Sequence, residues 1–515
     1  MAVAFGLAAA VVWWSGATLA ADDVALASIN VQPLGGSLVS AHAFGSDGAA
    51  IPLSVHNGRL RPRTLLSPGE EVTVVVVVRR PAWLGWVLGR TRSERLHLRA
   101  PTSRLSQQWL TVANHAALQL RFDQPIDRVF YRRGSVPQTV LAGGSRFVSL
   151  GHQLPSGTLE LAVAARPWER LGAPTRIAWF PASRLPVVLI EPSVGRQISP
   201  RAPIQLTFSQ PIKKILDGGQ PRFSSPVAGS WQATDSHTLR FSPAGFGYPL
   251  ASALSLQLPR QLSISSGAAS LRAARTIDWT IAGAHFLRLQ QLLADAGYLP
   301  LSWQPSAGLD VARQPLAEIN AAITPPAGHF RWRYPNTPPE LQRLWRTGQP
   351  NQITRGAVMM FEHDHGLTVD GFAGAQVWYA LLTDAISSKK KTDGYSYVYV
   401  HRNVPQLLTL WHDSRTVLTS PGNTGVPAAP TQLGTFPVFE HIPVGTMSGT
   451  NPDGSHYHDP GIRWISYFNG GDALHSFTRA SFGTPQSLGC VELPLATAAR
   501  VWPYTPIGTL VTIEN

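Results

Sequence analysis

A pattern that occurs twice decides the architecture of the middle of the chain. The stretch Leu-Gln-Leu-Arg-Phe-Asp-Gln-Pro-Ile at 118–126 recurs as Ile-Gln-Leu-Thr-Phe-Ser-Gln-Pro-Ile at 204–212. Both copies alternate apolar and polar residues and then break at proline, which is typical of a half-buried strand. A second matching segment follows each copy, at 176–179 and at 276–279. The repeat therefore predicts two tandem β-sandwich domains.

These two domains are predicted to span 104–184 and 185–282, and they resemble the bacterial immunoglobulin-like modules of surface proteins. Their sequences contain no catalytic cluster, so we expect them to act as spacers. A further β-sandwich module is predicted at 24–103, where Val72–Val78 reads as a buried strand. The apolar segment 83–88 is predicted to be a core loop, with a lip near a membrane as the alternative.

The composition agrees with a multidomain, mainly β protein. The 515 residues suggest several domains at roughly 100–200 residues each. With 45 glycines, 43 prolines and only 14% charged residues, the chain is rich in turns and poor in long exposed helices. The net charge of +13 favours an anionic partner such as an acidic wall polymer or a lipid surface. No nucleic-acid motif is present in the sequence, so nucleic acid is not a predicted partner.

Residues 1–21 are predicted to be a signal peptide cut after Ala20 or a membrane anchor. They carry no charge and include an apolar run at 11–14. Either interpretation sends the remainder of the chain across a membrane. We therefore expect an extracytoplasmic location, in the cell wall or on the outer face of the membrane.

A helical domain is predicted at 284–386. Residues 285–293 have helical periodicity, and Thr354 is predicted to cap a second helix. The stretch Gly-Leu-Thr-Val-Asp-Gly-Phe-Ala-Gly at 366–374 then resembles the turn of the small three-helix peptidoglycan-binding domain. An insertion at 300–350 departs from that pattern, and a helical spacer that binds nothing is the alternative. The polar segment 387–394, with Lys389–Lys391, is predicted to be a solvated linker.

The last domain contains the only cysteine of the chain, Cys490, so a disulfide within the chain is impossible. An attack on an amide requires a thiolate, which a neighbouring imidazole can generate, and His475 is the candidate base. Gly489 lets the loop turn sharply and aim the amides of Gly489 and Cys490 at an oxyanion. Ser487 can hydrogen-bond to the loop or to the substrate. The alternative is a buried, inert cysteine.

A histidine followed by Ser-x-Gly-Cys near the C-terminus of an all-β domain resembles the L,D-transpeptidase (YkuD) family. The resemblance covers about 395–515, and the stretch 431–438 is similar to the family's Thr-Pro-x-Gly-x-Phe-x-Val hairpin. Three residues depart from the family pattern: Gln432 replaces proline, Ser476 replaces the glycine after the histidine, and Glu492 replaces Arg or Asn. A carboxylate at 492 that points inward would raise the pKa of the thiol.

The resemblance implies a reaction in which Cys490 forms a thioester with a peptidoglycan stem peptide and His475 is general base and acid. It implies that Ser476 orients the imidazole through its backbone carbonyl. It also implies roles in cell-wall biogenesis and cell shape, with stem peptides and glycan as partners. Substrate contacts are expected at Ser487, Leu488, His458 and Tyr467. The cysteine mechanism needs no cofactor or metal, although His441, His456 and His458 could instead bind a metal.

Three alternatives to transpeptidation remain open on the sequence. Water in place of the acceptor amine would make the protein an L,D-carboxypeptidase. A sortase-like transpeptidase also places histidine before cysteine, and Arg500 would be its arginine, but sortases have threonine where Gly489 stands. A non-enzymatic wall-binding scaffold is the third alternative. A papain-like wall hydrolase is disfavoured because its cysteine precedes its histidine.

Overall fold

The computed structural model describes residues 14–515 except 114–115, 134, 155, 266–271 and 309–310. The chain is multidomain and mainly β, as predicted. Its first domain is a sandwich of two four-stranded sheets, β1-β2-β6-β5 and β4-β3-β7-β8. The strands are β1 Ala17–Ala21, β2 Ala27–Val31, β3 Ser37–Gly45, β4 Ala50–Ile51, β5 Leu53–His56, β6 Arg59–Pro62, β7 Glu71–Arg79 and β8 Thr91–Arg99. Helix α1, Ala82–Leu88, closes the β7–β8 hairpin.

The structure differs from two predictions for this region, the cut after Ala20 and the core loop at 83–88. Residues 1–13 of the predicted leader or anchor lie outside the described residues. Strand β1 pairs with β2 through all five of its residues, so a cut after Ala20 would remove most of an edge strand. The segment 83–88 is not a core loop, because α1 exposes most of its apolar side chains. The predicted strand at Val72–Val78 is confirmed within β7, with alternate residues buried. Within the described residues, no helix is long and apolar enough to cross a membrane.

The next two domains contain the repeat. The first is a five-stranded sheet in the order β11-β10-β12-β13-β9, and the second is an eight-stranded sheet in the order β15-β21-β20-β14-β16-β19-β18, with β17 paired to β20. The elements are β9 Trp109–Val112, β10 Ala117–Arg133, β11 Val136–His152, β12 Gly157–Ala164, β13 Thr175–Pro181, β14 Val187–Glu191, β15 Gln197–Ile198, β16 Ile204–Phe208, α2 Ile212–Leu216, β17 Arg222–Phe223, β18 Gly229–Ala233, β19 Thr238–Pro243, β20 Ala253–Ser265 and β21 Arg272–Ile281.

The two copies of the repeat form strands that differ after the proline. In both copies the apolar residues of the alternating pattern are buried. In the second copy the strand ends before Pro211, as predicted, and α2 follows. In the first copy β10 continues past Pro125, so the predicted break there is wrong. Register shifts between Arg121 and Arg128 explain the difference, because bulges accommodate a residue that cannot donate to the ladder.

The helical region packs α3 against α6 and α7. Its elements are α3 Phe286–Asp295, β22 Leu301–Pro305, α4 Pro315–Ile323, β23 Gly328–Trp332, α5 Pro339–Gln342, α6 Gln352–Asp364 and α7 Ala375–Ser387. The 300–350 insertion contains the antiparallel strands β22 and β23, with α4 in the connection between them, and α5. Thr354 is not the cap of α6; Asn351 is, because its side-chain oxygen accepts a hydrogen bond from the Thr354 amide at 2.9 Å.

The C-terminal domain stacks two sheets, β26-β25-β24-β32-β27 and β28-β29-β30-β31. Their elements are β24 Ser396–His401, β25 Leu407–His412, β26 Arg415–Pro421, β27 Gly434–Pro437, β28 Glu440–Thr450, β29 His456–Asn469, β30 Asp472–Ser476, β31 Val491–Leu493, α8 Leu495–Val501, a 3-10 helix Trp502–Tyr504 and β32 Leu510–Glu514. The predicted first hairpin and closing strand are confirmed as β24–β25 and β32. The core between the sheets includes Val398, Leu410, Leu474 and Val491.

The helical region and the C-terminal domain share a core. Tyr397, Trp411 and Leu510 of the C-terminal domain belong to the same buried cluster as Phe361 of α6. The predicted linker at 387–394 is also held in place. Lys391 donates to the Asp364 carboxylate at 2.9 Å, and its side chain is only 13% exposed, so at least this lysine is not solvated as predicted.

A glycine pair lies where α6 meets the C-terminal domain, and its replacement should loosen this contact. A Cβ at Gly356 would meet the Gly508 carbonyl oxygen, a backbone atom that cannot rotate away. The helix propensity gained by Gly356→Ala, about 1 kcal/mol, is opposed by overpacking worth about 1–3 kcal/mol. We expect a net loss of stability in denaturant unfolding. Gly283→Ala, whose Cβ would make an ordinary contact with Ala251 at 3.7 Å, is the control. Equal stability of the two variants would contradict this.

Candidate active site

The register of two parallel strands places the predicted catalytic residues on one face. In β30 and β31, Leu474 pairs with Val491 and His475 pairs with Glu492. Leu474 and Val491 point into the core between the sheets. Side chains alternate along a strand, so His475 and Glu492 point to the opposite face. Cys490 immediately precedes β31 and by the same alternation shares that face. Histidine and cysteine are therefore diagonal neighbours across adjacent strands.

The imidazole of His475 is held in one orientation. It is only 3% exposed, and its Nδ1–H donates to the backbone carbonyl of Ser476 at 2.9 Å. Burial lowers the pKa of His475, although the Ser476 carbonyl and the Glu492 carboxylate act in the opposite direction. A neutral ring with its proton on Nδ1 has a free lone pair on Nε2. The side chain is thus set up as a base at neutral pH.

The surroundings of Cys490 favour the protonated thiol. The residue is partly exposed, but protein atoms enclose the sulfur. Burial raises the pKa of the thiol to about 12, and the carboxylates of Asp472 and Glu492 add to the rise, whereas a hydrogen bond from the Ala473 backbone opposes it. The Glu492 carboxylate therefore lies close enough to the thiol to raise its pKa, which is the effect anticipated from the sequence.

The thiol donates to the carbonyl of Gly471, with Sγ and the oxygen 3.6 Å apart. In the part of the chain that the structure describes, no hydrogen bond joins this thiol to His475. The expectation of direct contact between the two is not met in this conformation. Rotation about the single Cα–Cβ bond of Cys490 moves Sγ between staggered positions, so the pair can meet without a change in the backbone.

Ser487 braces the loop before the cysteine. Its hydroxyl donates to the Cys490 carbonyl at 2.5 Å and accepts from the Gly489 amide at 3.3 Å. Ser487 is buried, so it organises the loop rather than presenting a free hydroxyl, and Leu488 beside it is half-buried. Because the Gly489 amide is engaged within the loop, the predicted oxyanion contact falls mainly on the Cys490 amide.

Glycine is required at 489 for two reasons. Its φ is +121°, a conformation that other residues rarely adopt. A Cβ at this position would also collide with the Asp472 carboxylate. The backbone can therefore approach β30 closely only because this residue has no side chain.

Two tyrosines of β29 lie beside the cysteine, and only one of them was predicted. Tyr467 packs in the cluster that contains Cys490. Burial raises the pKa of both Tyr457 and Tyr467, and a thiolate at Cys490 would raise it further. Tyr457 was missed in favour of its neighbour His458. His458 is exposed and lies on the opposite face of the strand from Tyr457, and its substrate contact stays a prediction.

The metal-binding alternative loses one of its three histidines. The His441 ring stacks on Trp502 with centroids 4.0 Å apart, and its Nε2 lies 3.0 Å from the Trp502 carbonyl oxygen. This imidazole therefore has a structural partner within its own domain. Burial lowers the pKa of His441, which is the direction expected for an enclosed imidazole.

An ion pair between a partly exposed arginine and a buried glutamate lies beside the site and was not predicted from the sequence. Arg479 donates through Nε and Nη2 to the two carboxylate oxygens of Glu492 at 2.8 and 2.7 Å. Glu492 is 4% exposed. The guanidinium also lies 4.5 Å from the centre of the Phe477 ring and donates to the Gln486 carbonyl. Arg479 thus ties the 477–487 segment to β31. A carboxylate at 492 where the family has Arg or Asn was the signal that a compensating cation should exist.

The pH dependence of alkylation tests this picture of the resting pair. The thiol pKa is raised and the imidazole pKa is lowered, so both groups are neutral near pH 7. Thiolate, and with it the alkylation rate of Cys490 by iodoacetamide, should rise about tenfold per pH unit from 7 to 10 with no plateau. Cys490 is the only thiol, so whole-protein mass follows it directly. The unfolded chain is the control and should show an inflection near pH ~8.5. A plateau below pH 9 in the folded protein would contradict the raised pKa.

The C-terminal domain belongs to a known family. A sequence model described as the YkuD L,D-transpeptidase catalytic domain matches residues 395–513. The chain therefore contains an L,D-transpeptidase catalytic domain of the YkuD family, which confirms the resemblance noted from the sequence. Peptidoglycan is the substrate class of such domains, and their place of action is outside the cytoplasm.

Solved structures of several L,D-transpeptidases are similar to this chain. The enzyme from Mycobacterium smegmatis is 14% identical, and the match covers 64% of this chain and 99% of that one with a TM-score of 0.21. L,D-transpeptidase 3 from Mycobacterium tuberculosis is 11% identical, and the match covers 63% of this chain and 97% of that one with a TM-score of 0.22. The catalytic domain of the E. faecium L,D-transpeptidase is 22% identical, and the match covers 24% of this chain and 99% of that one with a TM-score of 0.22. No curated protein sequence matches this chain.

Proposed function

We propose that the protein forms peptidoglycan cross-links through a thioester on Cys490. The observation that supports this most strongly is the strand register that puts Cys490 and a buried, oriented His475 on one face, next to the Ser-x-Gly-Cys loop. The family match at 395–513 supports the reaction class. The roles of the individual residues follow from their contacts.

In the first half-reaction, Sγ attacks the carbonyl carbon of the L,D-configured bond before the terminal D-residue of a stem tetrapeptide. The thiol proton moves to Nε2 of His475. The C–N bond breaks, and the leaving amine takes that proton, so that D-alanine departs and a thioester remains. Because both groups are neutral at rest, proton transfer accompanies the attack rather than preceding it. The Cys490 amide is positioned to donate to the oxyanion.

In the second half-reaction, the side-chain amine of a diamino acid in another stem attacks the thioester carbonyl. Its proton passes to His475 and then to the departing sulfur, which restores the thiol. The product is a 3→3 cross-link. Tyr457 and Tyr467 flank the sulfur and offer hydroxyls and ring faces to the stem peptide. Water in place of the amine would give a tripeptide and make the protein an L,D-carboxypeptidase.

The remaining domains are proposed to place this chemistry in the wall. The sandwich modules at 24–103, 104–184 and 185–282 act as spacers, and the helical domain at 284–386 contacts glycan or stem peptide. The catalytic domain spans 395–515. Residues 1–21 act as an export signal or an anchor, and the net charge of +13 favours acidic wall polymers as further partners.

Mass spectrometry of stem-peptide products tests the proposal. Full-length protein is incubated with disaccharide tetrapeptide, and the expected products are a 3→3 cross-linked dimer and free D-alanine. If tripeptide formed without dimer, the protein would be an L,D-carboxypeptidase and not a transpeptidase. If neither product formed and a carbapenem did not acylate Cys490, the result would favour the non-enzymatic scaffold.

A further inference from the structure

Helix α1 exposes an unusual amount of apolar surface. Trp86 is 84% exposed, Val87 61% and Trp83 60%, while only Leu84 is buried. The helix closes a hairpin between β7 and β8, so it projects from the end of the first sandwich. Large apolar side chains that are exposed together mark a surface that meets an apolar partner. Nothing in the catalytic proposal uses this helix.

Four arginines surround the base of α1. Arg79 and Arg80 precede the helix, and Arg90 and Arg92 follow it. Arg79 pairs with Thr91 in the ladder, so both pairs of arginines lie where the hairpin gives way to the helix. Arg92 forms an ion pair with Glu94 at 2.6 Å, and Arg80 donates to the Leu88 and Gly89 carbonyls at the end of the helix. Arg79 and Arg90 are exposed, and they supply the positive charge at the base. An apolar tip with a cationic base is complementary to an anionic lipid surface, where tryptophan favours the interface and arginine favours phosphate.

Ser15 and Gly16, which follow the apolar N-terminal stretch in the sequence, lie beside the base of α1. Arg80 donates through Nε to the Ser15 hydroxyl at 3.2 Å, and the Arg92 side chain lies against Gly16. The uncharged stretch that precedes Ser15 in the sequence is thus joined to the folded domain beside α1.

We propose that α1 docks on an anionic membrane surface, with Trp83, Trp86 and Val87 in the headgroup boundary and Arg79 and Arg90 on lipid phosphates. A second copy of the chain fits this surface poorly, because two such tips would bring Arg79 and Arg90 of both copies together. The docking is a property of the first sandwich and does not depend on the transpeptidase reaction.

Hydrogen exchange of the full chain on vesicles tests the docking. The vesicles contain phosphatidylglycerol and phosphatidylcholine, or phosphatidylcholine alone, and the peptide that covers 82–88 is followed by mass spectrometry. We expect this peptide to exchange at least several-fold more slowly on the anionic vesicles. Unchanged exchange of 82–88 on vesicle-bound protein would overturn the proposal, as would equal protection by neutral vesicles. Protection that grows with protein concentration in the absence of vesicles would instead assign the surface to self-association.

Matched variants separate α1 from the N-terminal stretch, which all of them retain. Trp83→Ser/Trp86→Ser should weaken partition onto anionic vesicles about tenfold or more, because two large apolar side chains lose their burial. Arg79→Gln/Arg90→Gln should weaken it by a smaller factor that disappears in high salt. Leu141→Ser/Phe147→Ser removes apolar side chains that are 76% and 61% exposed elsewhere and should change nothing. Equal partition of all three variants would refute the docking site.

Discussion

Replacement of Cys490 by serine is expected to abolish both carbapenem acylation and cross-link formation. The hydroxyl occupies the same space as the thiol, so the fold should persist. It is a far weaker nucleophile, and loss of a nucleophile that acts together with its base costs on the order of 10⁴–10⁶ in kcat. Intact mass after incubation with a carbapenem measures acylation, and product mass spectrometry measures cross-linking.

Arg500→Ala is the matched control for this variant. Arg500 lies exposed on α8, ten residues beyond the cysteine in the sequence. In the transpeptidase proposal this variant keeps full activity, whereas a sortase-like mechanism requires the arginine. A Cys490→Ser protein that still forms cross-links would remove the cysteine from the mechanism.

Replacement of Arg479 by alanine is expected to reduce both stability and activity. It would leave the Glu492 carboxylate buried without its bidentate partner. Breaking a buried pair costs about 3–5 kcal/mol, and we expect the lower end because the Arg479 side chain is 31% exposed. The unpaired carboxylate would also raise the pKa of the Cys490 thiol further. Denaturant unfolding and the rate of carbapenem acylation measure the two effects.

A second substitution distinguishes charge from packing. Glu492→Gln in the Arg479→Ala background removes the unpaired charge and should recover most of the lost stability and acylation rate. Arg99→Ala, which breaks an ion pair whose side chains are 74% and 59% exposed, should change stability by less than about 1 kcal/mol. If Glu492→Gln gave no recovery, the ion pair would not be the cause of the loss.

Features with a local signal could be predicted from the sequence. The alternating strands of the repeat, the β24–β25 hairpin and the helix at 285–293 all follow from the spacing of apolar residues, and the structure has them. The group around Cys490 was also visible, because the chain has one cysteine and its neighbours Ser487 and Gly489 have clear conformational roles. Tertiary contacts were needed for the rest of the site.

Three differences show why the remainder could not be predicted. Arg479 and Glu492 are separated in sequence and meet only because β31 runs parallel to β30. His458 and Tyr457 are adjacent, and only the register of β29 decides which of them faces the cysteine. The apolar composition of 83–88 predicts burial, but the hairpin ends there, and none of the other elements that the structure describes covers the helix. In each case the partner is chosen by the fold rather than by neighbouring residues.

The core shared by the helical region and the catalytic domain limits how the protein can be divided. A fragment that starts at Tyr395 would leave Trp411 and Leu510 facing water in place of α6, and such newly bared surface favours aggregation. A truncation intended for expression should begin near Gly283 and retain both parts. Exchange of the catalytic domain between homologous enzymes would, for the same reason, succeed only if the helices were transferred with it.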